Sequence, residues 1–188
     1  MVMLPEIIRF EIAYRVKQPM FYLFALFIFL MGFAPVATDS VQVGEAIGNV
    51  ARNAPYVIAN IMGSLSAIGL IIVTVFVTGA INRDHELKVQ ELFFSTRLNK
   101  FSYIIGRFFG SVIPTIIIML FGAFGIWAAS LMPWQDPARI ASFSFSPYLN
   151  ALILFVIPNL LFAGALFFSV TTLTRRVLWG WITVIVFF

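Results

Sequence analysis

Four apolar runs separated by short polar stretches set the layout of this chain. They cover about residues 20–37, 57–81, 103–132 and 148–172, and a fifth run occupies 177–188. A helix needs about 20 apolar residues to cross a bilayer, so the first four runs predict complete membrane spans and the fifth a partial one. The third, at about 30 residues, exceeds what a straight span requires and predicts tilt, a kink at Pro114 or an interfacial start. Pro158 predicts a kink in the fourth, with Asn159 beside it placed to satisfy backbone groups freed there. The expected fold class is all-α, a polytopic membrane helix bundle forming a single transmembrane domain over residues 1–188.

Residues 1–19, MVMLPEIIRFEIAYRVKQP, carry too many charges to insert. Pro5 near the start and Pro19 at the end predict a short helix. Glu6, Arg9, Ala13 and Lys17 fall on one face, while Leu4, Ile7, Ile8, Ile12 and Tyr14 cover much of the remainder. Glu11 and Arg15 interrupt the apolar face but stand four apart in the order that favours an ion pair. The segment therefore reads as an interfacial helix ahead of the first span. A secretory signal is excluded because further spans follow and no small-x-small cleavage site lies near residues 32–38.

Composition agrees with this picture: 61% of residues are hydrophobic and 11% charged, against roughly 25% charged in soluble domains. The net charge of +4 and pI near 9.8 do not point to nucleic acid, because the basic residues sit in alternate loops. Arg9, Arg15 and Lys17 precede the first span, Arg83, Lys88, Arg97 and Lys100 lie between the second and third with Arg107 just beyond, an interruption at the edge of the third run, and Arg175 and Arg176 follow the fourth. Arg52 and Arg139 are the lone bases of the intervening loops. Lys and Arg accumulate on the cytoplasmic side, which predicts a cytoplasmic N-terminus in an inner or plasma membrane. With no cysteine and one histidine, His85, the chain offers neither a disulfide framework nor a metal site.

The twelve uncharged residues 177–188 are too few to span, and a carboxylate in mid-membrane would cost at least a few kcal/mol. The protein is therefore expected to continue beyond Phe188. None of the four complete spans holds a charge deep inside, which disfavours an ion-coupled transporter. The polar residues Asn60, Ser64, Ser66, Thr74, Thr78, Asn150 and Asn159 suit helix-to-helix hydrogen bonds better than substrate contacts. Gly106 and Gly110 form a GxxxG that lets helices approach closely.

Between the second and third spans lies a charged island, residues 82–102, expected to break at Asn82 and resume as a short helix. Its apolar tip, Leu92, Phe93, Phe94 and Leu98, must dip into the interface, pack on the bundle or enter a partner's pocket.

The order of interfacial helix, span, outer loop, span and the segment R-D-H-E-x-x-x-x-E-L-F-F-S-T resembles the permease subunits of type-2 ATP-binding-cassette (ABC) exporters over essentially the whole chain. That resemblance implies a coupling helix that fits a cleft in an ATPase subunit. Glu91, Leu92, Ser95 and Thr96 match the family motif, and Arg83 and Glu86 match its charged lead-in. The usual Gly-Thr is replaced by Lys88 and Val89, and the usual Pro by Arg97. The resemblance further implies salt links from Glu91 and Arg97, a socket for Phe93 and Phe94, a second permease half in a dimer, and ATP with Mg held by the partner rather than by this chain. No catalytic motif is present, so no enzymatic activity is expected of this segment. The stretches FFSTRLNKFSYIIGRFFG and SFSPYLNALILFVIPNLLF are also similar to permeases fused to a gluzincin-type zinc aminopeptidase. That subgroup implies the alternative of a membrane anchor that transports nothing. No H-E-x-x-H occurs in the chain.

Overall fold

The computed structural model describes residues 3–38, 51–86 and 100–174. Every regular element among them is helical. The order is α1 (Met3–Val16), α2 (Pro19–Ala37), α3 (Pro55–Glu86), α4 (Lys100–Ser130), a 3-10 turn (Pro137–Arg139), α5 (Ser146–Ala151), a π-helical segment (Leu152–Val156) and α6 (Ile157–Thr174). Four stretches are long and apolar enough to cross a membrane: Pro19–Ala37, Pro55–Ala80, Phe101–Ser130 and Ser146–Thr174. The partial span expected over 177–188 lies outside the described residues.

Proline opens three of these helices. Pro19 starts α2 and Pro55 starts α3, and Pro147 stands in the first turn of α5. Proline's missing N–H has no intrahelical partner in a first turn anyway, and its fixed φ suits the helix. Pro158 acts differently. It leaves the carbonyl four residues back, on Leu154, without its α-helical donor. The turn before it is π-helical, and the Ile157 N–H donates to the Leu152 carbonyl five residues back. Asn159 does not serve the freed backbone as expected: its amide donates to Ser66 Oγ at 3.0 Å, and Ser66 donates to the Gly63 carbonyl at 2.6 Å.

Asn82 is not a break either. α3 runs through it to Glu86. At 32 residues it would measure about 48 Å, against a hydrocarbon core of about 30 Å. Its charged last turns therefore project past the apolar run as helix.

The chain divides into two compact units. The first contains α1 with residues 70–86, 100–115 and 160–174. Its core is built from Val73, Phe76, Val77, Val112, Leu160 and Phe167. The rings of Phe108 and Phe168 meet edge to face with centroids 5.8 Å apart.

The second unit comprises Met20–Gly69 and Ile116–Asn159, with Ile28, Ile61, Met62, Leu65, Met119 and Ile126 fully buried. Gly32 and Gly122 bring the α2 and α4 backbones together, since a Cβ on Gly32 would stand 2.3 Å from the Gly122 carbonyl oxygen. Small residues let helix backbones approach closely, which favours association where burial from water does not drive it. At the C-terminus of α2 the unsatisfied carbonyls find side-chain donors. Arg52 Nη1 and Gln135 Nε2 donate to Val36 at 2.9 and 2.7 Å, and Trp134 Nε1 donates to Ala37 at 3.2 Å. Asn53 pairs in both directions with the Ala141 backbone at 2.7 Å. On α2, Tyr22, Leu23, Leu26 and Leu30 stay exposed, an apolar face of the kind that marks a membrane contact.

Candidate functional site

α1 buries its charges. Glu11 is 0% exposed and Arg15 4%, while Phe10 is 61% exposed. Of the face expected to be apolar, Tyr14 is exposed while Leu4, Ile7, Ile8 and Ile12 are half-buried, and the two interrupting charges point inward. Packing against α4 explains the choice. A Cβ on Gly106 would fall 2.7 Å from Ile7 Cγ2, and one on Gly110 would fall 2.4 Å from Glu11 Cβ. The two glycines thus form a shallow seat in which α1 lies, and Glu11 rests on the second of them.

That seat delivers the Glu11 carboxylate to two guanidinium groups. Its Oε1 accepts from Arg107, which stands between the two glycines on α4, and from Arg83, near the end of α3. Arg107 also lies over the Tyr103 ring at 5.4 Å, and Arg83 over the Tyr14 ring at 4.2 Å. Ser111 donates to the Arg107 carbonyl at 2.9 Å. Breaking such a buried pair by removing one partner is strongly destabilising, because it leaves the other charge uncompensated.

Arg15 does not join its expected i, i+4 partner. Its Nη2 donates to the Phe76 carbonyl of α3 at 2.5 Å, and its guanidinium carbon lies 5.2 Å from the Phe76 ring centroid. Gly79 makes room for it, since a Cβ there would be 3.3 Å from Arg15 Nη1. Burial, with the neighbouring Arg83 charge second, lowers the Arg15 pKa to about 10, so it remains a cation at neutral pH. Tyr14 is also shifted downward, chiefly by the adjacent Arg83 guanidinium. Two guanidinium groups thus share the Glu11 carboxylate, and that of Arg15 lies near Arg83 without reaching it.

Of the residues singled out in the sequence, Arg83, Gly106 and Gly110 meet at this cluster. The backbone of Glu86 is helical. Glu91, Leu92, Phe93, Phe94, Ser95, Thr96 and Arg97 lie outside the described residues. Sequence reasoning did not find the roles of Glu11, Arg15 and Arg107. The available signal was two charges spoiling an apolar face and a third inside an apolar run.

The second unit holds a cavity of about 380 Å³ between aromatic and aliphatic walls, including Phe124, Trp127, Phe143, Tyr148 and Leu152. Trp127 meets Phe143 edge to face, and Phe143 is tilted against Tyr148. It offers space for an apolar group. No group of His, Asp and Glu among the described residues is arranged to hold a metal ion. No family model matches this chain, no curated protein matches it, and no solved structure matches it.

Proposed function

We propose that this chain is the membrane permease part of an ATP-driven ABC exporter, with residues 87–99 as the surface that engages a separate or fused ATPase. One observation carries the reading most of the way. Glu11 ties Arg83, in the last described turn before that segment, to Arg107, two turns after it. Both ends of the island are thereby fastened to α1 through a buried carboxylate. In this reading, force applied to the segment reaches α3 and α4 through these two ion pairs.

In this reading α1 lies on the cytoplasmic face, as the distribution of Lys and Arg implies, and the membrane is the inner or plasma membrane. Glu91 and Arg97 make salt links to the ATPase, and Phe93 and Phe94 fill a desolvated socket. The chain itself performs no bond chemistry; ATP and Mg belong to the partner, and a second permease half completes the pathway.

The test is purification of the full-length protein from its native membranes in mild detergent, with ATP hydrolysis measured in the eluate. Wild type should bring down an ATPase. Phe94→Ala should insert normally yet hold that ATPase roughly 30-fold less tightly, as expected for loss of an aromatic anchor worth about 2 kcal/mol. An eluate without nucleotide hydrolysis, or one unaffected by the substitution, would contradict the proposal.

A further inference from the structure

We propose that the Arg15–Arg83 edge of α1 is a binding site for the phosphate of an anionic phospholipid headgroup. The starting observation is a charge imbalance in a buried place. Arg83 and Arg107 share a single oxygen of Glu11, and Arg15 has no carboxylate partner among the described residues. Arg15 as a residue is 4% exposed, and its guanidinium's bond to a neutral carbonyl does not compensate a full charge. Arg15 Nε and Arg83 Nη1 are buried donors without an acceptor among the described residues. An uncompensated ion out of water is expensive, and two guanidinium groups with spare donors are matched to a phosphate.

The surroundings select a lipid over a soluble anion. Arg83 keeps 16% of its side chain exposed, so the cluster opens to the surface at that residue. There the opening is bordered by the rings of Tyr14 and Phe10, which lie 4.2 and 5.9 Å from the Arg83 guanidinium and are themselves exposed. An apolar rim beside a partly exposed guanidinium fits a headgroup whose acyl chains stay in the bilayer, and basic pockets between membrane helices are established lipid sites. Four stretches of the same chain are long and apolar enough to cross the bilayer that would supply such a lipid.

The experiment is a thermal melt of the full-length protein in nanodiscs of phosphatidylcholine, of phosphatidylcholine with phosphatidylglycerol, and of phosphatidylcholine with inorganic phosphate in the buffer. Occupancy at about a hundredfold excess over the dissociation constant should raise the midpoint by roughly 5–10 °C in the anionic lipid, with little change from inorganic phosphate. Arg15→Gln should melt no lower than wild type in phosphatidylcholine, because it removes a buried unbalanced charge, and should lose the gain from phosphatidylglycerol. Arg15→Lys, which keeps the charge, should retain part of that gain. Arg9→Gln with Lys17→Gln, on the exposed face, should leave the gain in place. Equal midpoints for wild type in the two lipids would overturn the site. So would a gain that survives in Arg15→Gln, or one that free phosphate reproduces.

Discussion

Glu11 is the residue on which the described cluster turns. Its carboxylate is fully buried and accepts from two guanidinium groups. Glu11→Ala should therefore cost about 3–5 kcal/mol, the range for stranding one side of a buried pair, measured as the loss of unfolding free energy in detergent. A loss below about 1 kcal/mol would mean that the cluster behaves like an exposed ion pair. Gly110 makes a sharper steric test. A Cβ there would collide with Glu11 Cβ at 2.4 Å, whereas one on Gly63 would meet nothing within 4 Å. Gly110→Ala should be destabilising by about 1–3 kcal/mol through overpacking. Gly63→Ala should be neutral or gain up to about 1 kcal/mol from helix propensity. If the two substitutions have equal effects in the same melt, α1 does not rest on Gly110.

Among the elements, the π-helical turn before Pro158 and the Asn159–Ser66 bond belong together, since the amide that stays clear of the freed backbone links two helices instead. Asn159→Ala should cost about 1 kcal/mol, and a double-mutant cycle with Ser66→Ala should give a coupling of about 0.6 kcal/mol. Additive effects would show that the bond contributes nothing. The spans were legible in the sequence because an uninterrupted apolar run of sufficient length needs no tertiary information to be read. The end of α3 was not: Asn82 and the charges after it look like a loop, and the helix there is accompanied by an ion pair from Arg83 to a residue 72 positions away. The spacing of Gly106 and Gly110 was visible, but their neighbour α1 was not, because a motif that permits close approach does not say what approaches. Arg107, 96 positions from Glu11, read as an interruption at the edge of a span. Local patterns cannot show which charge will be neutralised by which, and that pairing decides which face of α1 is buried.

For the whole molecule, α1, α3 and α4 are joined where the charged island leaves and re-enters the helices, and the proposed exporter reading takes that junction as a force-bearing one. Its central claim is that the island touches an ATPase. The direct measurement replaces Phe94 with a photo-crosslinking amino acid in the full-length protein, irradiates native membranes and identifies the adduct by mass spectrometry. The account predicts a crosslink to a protein or domain bearing the G-x-x-x-x-G-K-[ST] phosphate-binding loop, reduced when Glu91 is changed to Arg. Adducts only to lipid or to the chain's own membrane helices would contradict it.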